Sequence, residues 1–140
     1  MKNFTQKLIV LTSVLMSSHL YSQCDIPQQY TGNTGSNMTV LFSSDVIDAL
    51  PITSAAPYIV ALSPDGLLVG SASLASADLI NSQQQIAIWG DDTSTPEADG
   101  IFAGQEITFQ LVDGSSLYDL NNPTFTIGSN SYVVNGLNAI

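Results

Sequence analysis

Residues 58–74 read YIVALSPDGLLVGSASL, two apolar runs on either side of Ser63-Pro64-Asp65-Gly66. Proline presets one backbone angle of a reversal, and Asp-Gly supplies a residue free to adopt positive φ. The stretch therefore predicts a hairpin of strands over 58–62 and 67–74. The same grammar repeats outward from it. Residues 84–89 (QQIAIW) and 106–112 (EITFQLV) follow, and in the second Ile107, Phe109 and Leu111 alternate with Thr108 and Gln110, the period of a half-buried strand. Upstream, residues 38–42 (MTVLF) form a short apolar strand candidate, and Ser44-Asp45 is placed to cap one helical turn over 46–50 before Pro51 stops it. Downstream, residues 116–120, 123–127 and 131–134 are short candidates separated by Asn, Pro, Gly and Ser. Apart from residues 46–50, and a weaker turn over 77–80, no helical period is present. Asp-Gly recurs at 65, 99 and 113, but the intervals are unequal and no internal repeat exists. Seven or eight short strands in roughly 100 residues, punctuated every 8 to 12, predict an all-β fold: an antiparallel, immunoglobulin-like β-sandwich.

The beginning of the chain follows different rules. Lys2 and Lys7 precede the apolar run LIVLTSVLM over residues 8–16, and small polar residues lead to Ser22. Positive start, short apolar stretch and small-residue exit make a secretory signal, and the run is far short of the roughly 20 residues that span a bilayer. Cleavage after Ser22 leaves Gln23 first and 118 of the 140 residues. The expected organisation is a signal peptide over 1–22, an extended segment over 23–36 rich in Gly, Pro, Asn and Gln, and one domain over 37–140. The expected destination is secreted or at the cell surface.

Trimming the signal changes the electrostatics. Lys2 and Lys7 are the only basic residues, His19 is the only histidine, and all twelve acids lie downstream, so the side-chain charge moves from −10 to −12. An average domain has about 25% charged residues of both signs. A chain with only negative ones cannot neutralise phosphates, which excludes nucleic acid and the anionic membrane surface as partners. Lysine nucleophiles, arginine clamps and histidine bases are absent by the same count. Serines such as Ser71 and Ser73 have no base to activate them, and a glycosidase-type carboxylate pair would need a cleft that 118 residues of sandwich scarcely provide. The chain is read as no enzyme. Its natural partners are cations, neutral surfaces or a basic protein face.

Two features carry the remaining functional signal. Residues 89–100 read WGDDTSTPEADG, four carboxylates within nine residues framed by glycines. Unpaired carboxylates so close repel one another unless an ion or water intervenes. Calcium, which takes six to eight oxygens in a flexible shell, suits Asp91, Asp92, Glu97 and Asp99, with Asp65 and Asp113 as outlying candidates. The competing expectation is a solvated loop whose Asp and Thr side chains cap the local backbone. Trp89 falls on the strand face opposite Ile86 and Ile88. It serves either as buried area in a second layer or as a stacking platform for a sugar ring. Tyr58, Tyr118 and Tyr132 are expected to be partly buried. Cys24 is the only cysteine, so no disulfide closes within the chain. Lipidation, an intermolecular disulfide or an inert thiol remain its alternatives.

The order of motifs, Asp65-Gly66-Leu67-Leu68-Val69-Gly70-Ser71-Ala72, then Ile86-Ala87-Ile88-Trp89-Gly90-Asp91-Asp92, Thr95-Pro96-Glu97-Ala98-Asp99-Gly100 and Glu106-Ile107-Thr108-Phe109-Gln110-Leu111, resembles a small module of secreted and surface proteins of Bacteroidota. The resemblance covers roughly residues 36–120 and implies an immunoglobulin-like sandwich used as a spacer or adhesion module, often in chains exported by the type IX pathway. The chain ends at Leu137-Asn138-Ala139-Ile140 without the C-terminal sorting domain expected for that route. The family implies no catalytic residues. The expectation is a non-catalytic surface module with a structural or adhesive role, stabilised by calcium if the acidic loop binds it. The alternative is a carbohydrate-binding module using Trp89 and the 91–99 loop. A weaker expectation is a polymerising subunit reaching its neighbour through Cys24 or the extended segment.

Overall fold

The computed structural model describes residues 26–140, so the signal over 1–22, together with Gln23 and Cys24, lies outside the described residues. In chain order the elements are β1 (Asn37–Phe42), α1 (Ser44–Asp48), β2 (Tyr58–Leu62), β3 (Leu68–Ser73), β4 (Gln84–Trp89), β5 (Thr108–Asp113), β6 (Ser116–Leu120) and β7 (Leu137–Ala139). They form a three-stranded sheet, β4-β1-β7, and a four-stranded sheet, β3-β2-β5-β6. This is the two-sheet, all-β sandwich that the strand spacing predicts. Every strand pair is antiparallel except β1 with β7.

Alternation in the sequence decides which side chains enter the core. In β1, Met38, Val40 and Phe42 are buried while Asn37, Thr39 and Leu41 are half-buried, and β4 buries Ile86 and Ile88 in the same way. Ile59, Ala61, Phe109 and Leu111 of the other sheet join them in one cluster. Phe42 meets Phe109 edge to face, ring centroids 5.3 Å apart at 90°, the arrangement their quadrupoles favour. Burying each such aliphatic or aromatic side chain contributes about 1.5–3 kcal/mol. Ile47, Ile101, Ile107, Tyr132 and Ile140 extend the same cluster.

The quoted hairpin forms where its turn residues lie. Gly66 has φ +80°, its N–H donates to the Ser63 carbonyl at 3.0 Å, and the Ser63 hydroxyl accepts the Leu67 N–H at 3.1 Å. Gly70 is needed for a different reason. A Cβ there would run into the Ala87 carbonyl oxygen of β4, so glycine lets the β3 and β4 edges of the two sheets close against each other.

Other expectations are corrected. Residues 123–127 and 131–134 are not strands: each makes one isolated bridge, Ile127 with Ala139 and Ser131 with Glu106. Left-handed Asn122, at φ +50°, precedes the first run and left-handed Asn135, at φ +56°, follows the second. Tyr132 is instead tied to a loop, its N–H donating to the Gln105 carbonyl at 2.8 Å and its carbonyl accepting from Gly104 at 2.9 Å. The last strand is β7, and β5 starts at Thr108. The helix starts at Ser44, two residues before its expected first turn, with Ser43 at the N-cap and no side-chain cap bond. Residues 77–80 form no helix: 77 and 78 lie in a turn, and Ile80 bridges to Gln83.

The segment before β1 proves to be a strap. Val60 and Val112 are buried, at 0% and 1% exposure, yet lie outside the central cluster, on the outer face of the four-stranded sheet by strand alternation. On that side the Tyr58 hydroxyl donates to the Pro27 carbonyl at 2.7 Å, and the Tyr30 N–H donates to the Ser71 hydroxyl at 2.7 Å. The Thr34 hydroxyl then donates to the Gly90 carbonyl, tying residues 26–36 across one sheet and onto the root of the acidic loop.

Candidate functional site

The acidic loop hangs from the end of β4. Its root is closed by the Ile101 N–H donating to the Trp89 carbonyl and the Asp91 N–H donating to the Ile101 carbonyl, both at 3.0 Å. Gly100 is required at this point, because a side chain there would run into the Gly90–Asp91 backbone. Buried Tyr132 brings its hydroxyl against Gly90, where it hydrogen-bonds to none of the carboxylates.

Within the loop the carboxylates serve the backbone. Asp99 Oδ1 accepts the Asp92 N–H at 3.0 Å, and Asp91 Oδ1 accepts the Asp99 N–H at 3.1 Å, a reciprocal clasp between the two limbs. Asp92 Oδ1 accepts the Ser94 N–H at 2.9 Å, and the Asp92 carbonyl accepts the Thr95 hydroxyl at 2.9 Å. The Ser94 side chain, then its N–H, holds the Asp92 carboxyl below its ordinary value. Tyr30 of the strap lies close enough to Asp99 for that charge, after burial, to raise its phenol. Asp91, Asp92 and Asp99 are half-buried, whereas Glu97 is exposed. Local capping therefore accounts for three of the four carboxylates. Among the described residues no three Asp, Glu, His or Cys side chains converge as a metal-ligand set.

Trp89, the last residue of β4, stands opposite Asn37. It is half-buried and absent from the central cluster, so Phe42, Phe109 and Tyr132 supply the aromatic core in its place. Tyr58 is half-buried, Tyr118 is 38% exposed and Tyr132 is fully buried. Asp65 lies exposed in the β2–β3 turn, far along the chain from any other candidate ligand.

Asp113 has the strongest local role of any carboxylate. Its Oδ2 accepts the Thr53 N–H at 2.8 Å and the Thr53 hydroxyl at 2.6 Å, and its Oδ1 accepts the Ser54 N–H at 2.8 Å. The nearby Ser54 side chain first, then Thr53 and the two amides, hold this carboxyl well below the usual carboxylate range. The Ser54 hydroxyl makes no hydrogen bond of good geometry, and the three bonds that are formed come from Thr53 and the Ser54 amide. Asp113 is 4% exposed and clamps the crossover between α1 and β2. Nothing in the Asp113-Gly114 sequence signals this, because its partners lie about sixty residues upstream.

No protein-family profile, curated protein or solved structure matches the chain.

Proposed function

We propose that this chain is an exported, non-catalytic β-sandwich module of the cell surface or its surroundings, with a structural or adhesive role. The observation that carries the reading is charge: once the signal is trimmed, twelve acids face no base, and the densest acidic segment uses three of its four carboxylates to fold its own loop. Such a surface stays soluble, repels nucleic acid and anionic lipid, and associates through cations, neutral faces or basic proteins. Mass spectrometry of the exported protein tests the first half of the proposal. A mature N-terminus at Gln23 and resistance of the denatured chain to a protease specific for Lys and Arg are the expected results. A retained leader would sink it. Deleting the chain from its source and measuring surface attachment and envelope integrity tests the second half, and unchanged values in both would remove the structural and adhesive roles.

A second reading, a carbohydrate-binding module, draws support from Trp89 on the outer face of the three-stranded sheet beside Asn37. A glycan array separates the two. Sugar retention lost in Trp89→Ala with the fold intact favours this second reading, and no retention on any sugar leaves the first.

A further inference from the structure

A concave region of about 560 Å³ opens between α1 and the end of β6. Its floor is core: Phe42, Phe109 and Ile140, exposed by only 2%, 2% and 6%. Half-buried Val46, Leu50 and Leu120 form the walls, and exposed Asp45 and Asp119 stand on the rim. A second, more polar concavity of about 300 Å³ adjoins it, sharing Phe109, Asp119, Leu120, Asn121 and Pro123 and adding Glu106. One is an apolar pocket of the size that accepts a side chain or small ligand. The other presents Asp119 and Glu106 with no cation on the domain to pair them, since residues 26–140 contain no Lys, Arg or His.

We infer that this double groove is a docking site for an extended segment of another protein that places an apolar side chain between α1 and β6 and, two positions along, a Lys or Arg against Asp119 and Glu106. Charge selects the occupant. A second copy of the domain could offer apolar side chains but no positive one, and its own acids would repel the rim. A neutral apolar molecule would fill the larger concavity and leave the polar one unmatched. Continuity of the two concavities along residues 119–123 fits an extended chain, whose successive side chains point to opposite sides and reach neighbouring pockets on alternate positions.

The probe is a blocked five-residue peptide, Ser-Leu-Ser-Lys-Ser, with leucine and lysine two positions apart, titrated into the exported chain at low salt and followed by calorimetry and by amide NMR shifts. Saturable binding is expected, with shifts confined to α1, β6 and residues 121–124. The leucine–serine analogue should bind at least ~tenfold more weakly, equivalent to ~1.4 kcal/mol, and the leucine–glutamate analogue should not bind. Ala49→Trp, at an exposed position on the groove wall, should abolish binding with the circular dichroism unchanged. Glu106→Gln with Asp119→Asn should weaken it ~tenfold and flatten its salt dependence. Absence of saturable binding, equal affinity for the serine analogue, or binding indifferent to Ala49→Trp would overturn the inference. Self-association that Ala49→Trp removes would also overturn it, by assigning the groove to a second copy.

Discussion

Asp113 shows how much one side chain settles in this molecule. Removing it leaves the Thr53 and Ser54 amides without their acceptor in a part-buried site, and a buried donor left unmet costs more than the bond it once made. Asp113→Ala should lower the thermal midpoint by several degrees, and Asp113→Asn by less, since the amide keeps one acceptor. The pH dependence follows from the depressed folded-state value. A carboxyl whose pKa falls on folding contributes stability above its unfolded value of about 3.9, and that contribution is lost as pH drops through the folded value. Urea midpoints measured from about pH 5 downward should fall more steeply for the wild type than for Asp113→Asn. Parallel curves would show that the clamp does not depend on ionisation. Gly70 makes the complementary point. Gly70→Val puts a side chain where the Ala87 carbonyl oxygen sits, and should cost about 1–3 kcal/mol by parting the seam between the sheets.

At the scale of elements, strands predicted by alternation or by a turn formed, and segments whose partners lie far away did not follow local signals. The hairpin of β2 and β3 was legible because Ser63, Pro64, Asp65 and Gly66 specify it within one turn. Residues 131–134 looked like a strand, yet Tyr132 is held by Gln105 and Gly104, partners that no local window contains. For the strap over 26–36, Gly, Pro, Asn and Gln carry no period and predict no more than an extended segment. Its contacts with Tyr58, Ser71 and Gly90 come only from the fold. Tyr58→Phe, which removes the bond to the Pro27 carbonyl, should cost about 1 kcal/mol in chemical denaturation. Faster amide exchange at Val60 and Val112 should accompany it, and unaltered exchange there would show that the strap does not protect that face.

For the whole molecule, self-repulsion among twelve acids opposes compaction. Raising sodium chloride from about 10 mM to about 150 mM shortens the screening length from about 30 Å to about 8 Å, and the thermal midpoint should rise. Calcium and magnesium at matched ionic strength then distinguish screening from a site. Equal rises mark counterion screening, in keeping with carboxylates that already accept backbone donors, whereas a larger rise with calcium, reversed by chelator, marks ligation by Asp91, Asp92, Glu97 and Asp99. The docking groove also belongs to this scale, because α1, β5, β6 and the chain end each supply part of it.

Sequence alone determined the sign of the surface, the two-sheet β architecture and the position of its clearest turn, since charge is a count and both alternation and turn chemistry act within a few residues. Tertiary structure alone decided that Asp113 clamps a crossover, that the segment before β1 covers a sheet face, that Trp89 stays out of the core, and that apolar and acidic groups meet in one groove. Those outcomes depend on contacts between residues tens of positions apart, and such contacts exist only once the sheets have packed.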